Sequence, residues 1–324
     1  MKTKIVYVLT SSKEDTYLEQ TLISVYSARL HNPYVDILVV TDNATANTIK
    51  GGRAEIKKYL SDIVVVDIPA EYNNMQKSRY IKTNLRKFVE GDFLYIDSDT
   101  VIAESLADID SCDYDLGAVY DSNRPFLIGE SNATSDWYIN EHADKMEWEH
   151  FVGCPNYNGG VIYAKDNKTA HDFYSKWFEL WQECVKKGVN IDMISLCKAN
   201  KDMGFPIKEL DVTWNCQIQR DGLSFINKAK IIHCFTGGNL CNYELCEKKY
   251  LLDIKSKGYI DEPIINLIKE AKTAFIKDAR IVSGDDLLFL TTQSYNLWRY
   301  SPKVFRKYDA IAGRILKLMT YLKK

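Results

Sequence analysis

The chain has 324 residues, 46% of them hydrophobic and 27% charged, with a formal net charge of −2. This composition excludes wholesale disorder, and the length suits one large α/β domain or two smaller ones. The near-neutral balance excludes an overall attraction to nucleic acid, although basic residues gather towards the C-terminus.

Met1-Lys2-Thr3-Lys4 leads straight into an apolar run at residues 5–9, which reads as a buried strand; no small-residue cleavage site follows, so no signal peptide is expected. Residues 10–16 form a polar loop. Residues 17–29 have helical spacing, with Leu18, Leu22, Val25 and Tyr26 on one face. Residues 36–41 and 63–68 read as strands, residues 76–90 as a helix, and residues 93–96 as a further strand. This alternation predicts a Rossmann-like, mixed but mainly parallel α/β sheet with helices on both faces. No Gly-x-Gly-x-x-Gly follows the first strand, which disfavours a dinucleotide site. Residues 116–119 and 161–164 are also strands. Between them, residues 121–155 read as a long loop rich in aromatics and acids, including Trp137, Tyr138 and Trp148; loops of that length are usually functional. A helix with a Trp/Phe face is expected at residues 168–187, and the pattern is mostly helical from about residue 243.

The eight cysteines, at 112, 154, 184, 197, 216, 234, 241 and 246, contain no Cys-x-x-Cys pair, so a zinc ribbon has no support. Several lie in apolar runs, where a thiol behaves as a small hydrophobe, and a reducing cytoplasm is the expected location. No run approaches the ~20 apolar residues of a membrane span.

Chemistry is concentrated at Asp97-Ser98-Asp99, directly after the apolar run Phe93-Leu94-Tyr95-Ile96. Residues i and i+2 of an extended segment lie on one side, so the two carboxylates are aimed into one place. They need a counter-charge to stay ionised together, and hard carboxylate oxygens suit Mn²⁺ or Mg²⁺. The carboxyl end of a strand in an α/β sheet is also where ligands bind, and a nucleoside diphosphate held through the cation would balance the charge. The plainer alternative is that Asp97 and Ser98 cap the following turn.

Three other segments accompany the triplet: Asn158-Gly159-Gly160-Val161, Asp192 followed by Trp214-Asn215, and Ile231-Ile232-His233-Cys234-Phe235. In order and spacing the set resembles the GT-A glycosyltransferases, and within them the retaining glycosyltransferase family 8, which includes glycogenin and the bacterial lipooligosaccharide galactosyltransferases. The resemblance spans roughly residues 3–240. It implies a GT-A domain over residues 1–242; the pattern beyond it is read as a helical C-terminal extension over 243–302 and a separate tail helix over 303–324. It further implies that Asp97, Asp99 and His233 hold Mn²⁺ (or Mg²⁺) on the donor's phosphates, with Ser98 beside them. Leu9, Thr10 and Ser11 would line the base and ribose, and Tyr17 would stack on uracil. Lys82 would sit near the phosphates or sugar, with Arg79 and Arg86 about one helical turn to either side as alternatives. Asn158 and Gly159 would approach the donor sugar, and Asp192 would lie beneath its ring; Asp192 and Asn158 are the implied catalytic pair. Asp121 and Asn123 are weaker candidates for sugar contact.

Two departures from the family stand out. The residue after Asp192 is Met193, where the family usually has Gln, so the stabiliser of an oxocarbenium-like transition state is unassigned. The segment after the histidine, Thr236-Gly237-Gly238-Asn239, lacks the family's usual Lys, which leaves the amides of Gly237 and Gly238, or Lys82, to stabilise the phosphates.

In the tail, Val304, Tyr308, Ile311, Ile315, Leu318 and Leu322 recur at steps of three and four. Lys303, Arg306, Lys307, Arg314, Lys317, Lys323 and Lys324 flank them, against the single acid Asp309. A basic amphipathic helix of this kind reads as an anchor on an anionic membrane surface; the alternative is a helix packed on the protein body.

The resemblance therefore implies a metal-dependent transfer of a hexose, glucose or galactose foremost, from a UDP-sugar to a glycan or lipid-linked glycan acceptor. Retention of configuration, a role in surface-polysaccharide or glycolipid synthesis, no nucleic-acid partner and a cytoplasmic, peripheral membrane location complete that expectation. A sugar nucleotidyltransferase is a rival, but it would need a glycine-rich basic loop where the chain has Ser11-Ser12-Lys13-Glu14-Asp15. A non-catalytic sugar-nucleotide or glycan-binding protein is the other; Met193 favours it, and the Asp97, Asp99 and His233 set opposes it.

Overall fold

The computed structural model describes residues 1–124, 127–129, 134–234, 243–275 and 292–322. At its centre, strands β1 (Lys4–Leu9), β2 (Ile37–Asp42), β3 (Asp62–Val66) and β4 (Phe93–Ile96) run parallel in the order β3-β2-β1-β4. A smaller sheet begins with β5 (Thr100–Ile102). The main sheet continues through β6 (Leu116–Tyr120), β7 (Tyr157–Ala164) and β8 (Ile207–Glu209), with β7 antiparallel to both β4 and β6. The expected mainly parallel α/β sheet is thus present, with β7 as its reversed strand. The small sheet is completed by β9 (Cys216–Gln217) and β10 (Ile231–His233), in the order β5-β10-β9.

Side-chain alternation divides the core. Ile5, Tyr7 and Leu9 face one way, where α1 (Tyr17–His31) packs through Leu18, Leu22 and Val25. Val6 and Val8 face the other way. On that side, beyond the short α2 (Asn43–Thr48), lie α3 (Asn74–Thr83) and α4 (Leu85–Phe88), which bury Ile81 and Leu85. An apolar strand buried on both faces reads as a continuous hydrophobic run because neither side meets water.

The structure corrects three local expectations. The single helix at 76–90 is broken at Asn84, between α3 and α4. The segment 121–155 is not one long loop: it contains α5 (Thr134–Met146), whose Ile139, Ala143 and Met146 form a third apolar cluster with Cys184 of α6 (Lys168–Lys186) and Ile194 of α7 (Met193–Asp202). Helix α1 is buried well beyond one face, because α8 (Lys248–Lys257) and α9 (Glu262–Lys269) pack on its outer side. Lys255 of α8 donates to the Asp15 carbonyl at 2.5 Å, and buried Glu19 is paired with Arg53 at 3.3 Å.

The chain groups into two compact units, Met1–Ile276 and Lys277–Lys324. Helices α10 (Gln293–Tyr300) and α11 (Pro302–Leu322) belong to the second. Among the described residues, no helix is long and apolar enough to cross a membrane.

Candidate active site

Sheet topology brings distant segments to one edge. Parallel β1 and β4 end together, and the Ser98 hydroxyl donates to the Val8 carbonyl at 3.4 Å. The antiparallel β7 begins where they end: Val161 pairs with Ile96, and the Asp97 N–H donates to the Gly160 carbonyl at 2.7 Å. After Asp99 the chain enters β5, which pairs with β10 so that Thr100 lies opposite His233. The Cys234 N–H donates to the Asp99 carbonyl at 2.8 Å.

One ligand atom from each of Asp97, Asp99 and His233 therefore lies within 4.8 Å of the other two. His233 is 2% exposed, whereas the carboxylates keep 28% and 22% of their side chains open. His233 Nε2 faces Asp99 Oδ1 at 3.3 Å. Two hard carboxylates and one imidazole, converging on a partly open space, fit Mn²⁺ or Mg²⁺. Gly160 makes room for the cluster: a Cβ there would fall 2.3 Å from His233 Cε1 and 2.9 Å from Asp97 Oδ2.

The neighbouring half of the site is an ion cluster. Asp192 precedes α7, its carbonyl held by Trp177 Nε1 at 3.2 Å and the Ser195 hydroxyl at 2.8 Å. Its carboxylate meets Arg79 Nε at 3.2 Å and Lys82 Nζ at 3.0 Å, both on α3. Burial by itself would raise the Asp192 pKa, but the Lys82 and Arg79 charges outweigh it and hold the carboxyl well below the usual range. Lys82 is buried and also reaches Asp97 Oδ1 at 3.5 Å, so it joins the two halves. The Gly159–Gly160 backbone runs beside both: a Cβ on Gly159 would lie 3.3 Å from Lys82 Nζ and 3.7 Å from Asp192 Oδ2.

Arg79 and Lys82 are both in the site, whereas Arg86 donates to the carbonyls of Val89, Gly91 and Lys165 beyond the break at Asn84. Tyr95 is a site residue that sequence reasoning missed. Its hydroxyl donates to Asp97, its ring lies 5.2 Å from Lys82 Nζ, and burial together with the Asp97 charge raises its pKa well above the phenolic range. Its position two residues before Asp97, on the same strand face, was the available signal.

The nucleotide-pocket candidates lie at the end of β1. Leu9 is buried in the core and its carbonyl accepts from Thr41. The Thr10 hydroxyl donates to the Asn74 carbonyl at 3.3 Å. Ser11 is engaged internally: its N–H donates to Thr45, its hydroxyl donates to Asp15 and accepts from Arg53. Tyr17 opens α1 with its side chain 52% exposed. Asn158 is buried; its Nδ2 donates to Asp121 at 3.0 Å and its Oδ1 accepts from the Gly160 N–H at 2.9 Å. Ser122 and Asn123 adopt left-handed backbone, with φ of 61° and 56°, and Asn123 spans to the Asn215 carbonyl at 2.8 Å. Gly237 and Gly238 lie outside the described residues.

No protein-family model matches the sequence, and no curated protein matches it. Solved structures do. The galactosyltransferase LgtC, in complex with donor and acceptor sugar analogues, superposes with a TM-score of 0.53 at 13% identity, over 82% of this chain and 99% of LgtC. An active-site variant of LgtC gives 0.51 at 14% identity, over 81% and 98%. The bifunctional glycosyltransferase WbbM, in its apo form, gives 0.55 at 14% identity, over 83% of this chain and 51% of WbbM. The chain has the GT-A glycosyltransferase fold.

Within this GT-A fold, Met193 packs against the apolar cluster of α5, α6 and α7. Thioether sulfur is also a poor hydrogen-bond acceptor. Met193→Leu is therefore expected to leave activity nearly unchanged. With Asp192 beneath the donor sugar, as the resemblance implies, Asp192→Asn keeps the shape but loses a charged hydrogen bond to the sugar worth about 1.5–3 kcal/mol, for an expected activity loss of about 10- to 100-fold. Asn is the informative replacement, because Ala would leave Arg79 and Lys82 facing each other across a void. Steady-state kinetics of the two variants checks this, and the opposite ranking would place the donor sugar elsewhere.

Proposed function

We propose that this protein is a metal-dependent glycosyltransferase that moves a hexose from a UDP-sugar to a hydroxyl of a glycan or lipid-linked glycan, with retention at the anomeric carbon. One observation carries the reading: the Asp97, Asp99 and His233 cluster adjoins the Asp192, Arg79 and Lys82 ion cluster at the ligand-binding edge of a GT-A sheet. LgtC, of the same fold, binds donor and acceptor sugar analogues, which supports a sugar donor and a glycan acceptor for this chain.

Asp97, Asp99 and His233 would hold the divalent cation, which when bound supplies Lewis-acid stabilisation of the leaving nucleoside diphosphate. Lys82 adds a fixed positive charge between the phosphate and sugar sides, and the amides of Gly237 and Gly238 are proposed to assist it. Asp192, kept ionised by two cations, accepts hydrogen bonds from sugar hydroxyls. Gly159 lets the donor approach the backbone closely. Thr10 and the exposed ring of Tyr17 are proposed to receive the ribose and uracil.

Thermal denaturation with nucleotides tests the donor class, because a ligand stabilises the native state according to its affinity. With Mn²⁺ present, UDP should raise Tm more than ADP or GDP, by about 2.7 kcal/mol of stability at ~100-fold excess over its Kd. Equal shifts for GDP would refute a uracil pocket. A panel of UDP-sugars in the same assay, followed by Mn²⁺-dependent hydrolysis of the best, identifies the sugar.

We also infer that α11 binds anionic membrane surfaces. Val304, Tyr308, Ile311, Ile315 and Leu318 are between 45% and 61% exposed, on a helix whose sequence is rich in Lys and Arg. Partial burial of this face, plus charge attraction, would hold the helix in the bilayer interface. Full-length protein should sediment with anionic liposomes and be released by salt, whereas protein lacking residues 303–324 should stay in solution. Sedimentation of the truncated protein would assign the contact elsewhere.

A further inference from the structure

Asn215 is fully buried beside β9, and the mechanism above does not use it. Its neighbours identify both ends of its side chain. The Gly160 N–H is a donor in every protonation state, and it meets the Asn158 side chain at 2.9 Å, so the Asn158 atom there is Oδ1. The same oxygen lies 3.0 Å from the Asn215 amide, which must therefore present Nδ2 to it. The other end of Asn215, Oδ1, then lies 2.9 Å from His233 Nδ1. An oxygen acceptor at that distance requires the imidazole proton to be on Nδ1. At the far end Asn158 Nδ2 faces the Asp121 carboxylate at 3.0 Å, as a donor should. The backbone is held as well: the Gln217 N–H donates to Asn123 Oδ1 at 2.8 Å, and Asn123 Nδ2 donates to the Asn215 carbonyl at 2.8 Å.

We propose that Asn215 is a positioning residue that, through the relay Asp121–Asn158–Asn215, holds His233 as the Nδ1–H tautomer and presents its Nε2 lone pair to a divalent cation shared with Asp97 and Asp99. With the proton on Nδ1, a neutral imidazole faces Asp99 with a lone pair at 3.3 Å. Two acceptors stay this close only with a cation or proton between them. Partners that orient a metal-bound imidazole in this way also raise its basicity as a ligand. The inference rests on the metal reading of the proposed function, so its test includes a metal-free measurement.

Long-range proton–nitrogen correlation spectra of the metal-free wild-type protein, at alkaline pH where the ring is neutral, should show His233 protonated on Nδ1. A proton on Nε2 would overturn the relay, whether or not the protein binds metal. In titrations followed by Mn²⁺ electron paramagnetic resonance, Asn215→Ala should bind Mn²⁺ about 10- to 100-fold more weakly than wild type. Asn215→Asp keeps an oxygen against Nδ1 and should keep the Nδ1–H tautomer, but it replaces the donor to Asn158 Oδ1 with an acceptor, so it should restore Mn²⁺ binding only in part. A folded Asn215→Ala protein with wild-type affinity would refute the proposal. If Asn215→Ala does not fold, the wild-type tautomer decides. Absence of Mn²⁺ binding by wild type would remove the proposed function, while the spectra would still judge the relay.

Discussion

Asp99→Asn is expected to lose most transfer activity, on the order of 10³-fold, without unfolding the protein. The substitution removes charge and little volume. The Asp99 carbonyl would still accept from the Cys234 N–H, and β5 would still pair with β10, so the backbone that carries His233 is untouched. Under the proposed function, what is lost is one of the two carboxylates that would hold the cation, and with it several kcal/mol of stabilisation of the leaving diphosphate. The variant should also lose the Tm increase that Mn²⁺ with UDP gives wild type, while its Tm without ligands stays close to normal. Full turnover by the variant, or by wild type in excess chelator, would dispose of the metal-dependent mechanism.

Gly160→Ala should harm Mn²⁺ binding and stability far more than Gly159→Ala next to it. The added methyl at 160 would lie 2.3 Å from His233 Cε1 and 2.9 Å from both Asp97 Oδ2 and Asn158 Oδ1. All three belong to the cluster or to the relay behind it, and His233 and Asn158 are buried. Overpacking of this kind costs about 1–3 kcal/mol of stability and displaces two members of the Asp97, Asp99 and His233 cluster at once. At 159 the nearest atom is the Lys82 terminal nitrogen at 3.3 Å, a full ångström farther than the nearest atom at 160, so a shift of a few tenths of an ångström relieves it. Mn²⁺ affinity and Tm measured for both variants should rank them in that order; equal or reversed effects would mean that the glycine pair does not shape the cation site.

Local spacing alone carried part of this description. The carboxylate pair at Asp97 and Asp99 was legible because period-two geometry is a property of any extended segment. The β1 strand was legible because burial on both faces leaves an unbroken apolar run. Helix α5 was legible in principle, through Ile139, Ala143 and Met146, but the acids and aromatics around them obscured the period.

Other features exist only once the chain has folded. Arg79, Lys82 and Arg86 are equivalent in sequence terms, and the break at Asn84 is what leaves two of them on Asp192 and sends the third to backbone carbonyls. Nothing local announces that α8 and α9 will cover the polar residues of α1. The link from Asn158 through Asn215 to His233 crosses three elements that are remote along the chain. Sequence by itself determined which residue types were available for a cation and a sugar. Tertiary structure decided their partners, because the directed contacts that set an imidazole tautomer or hold a carboxylate ionised form between segments with no local period to connect them.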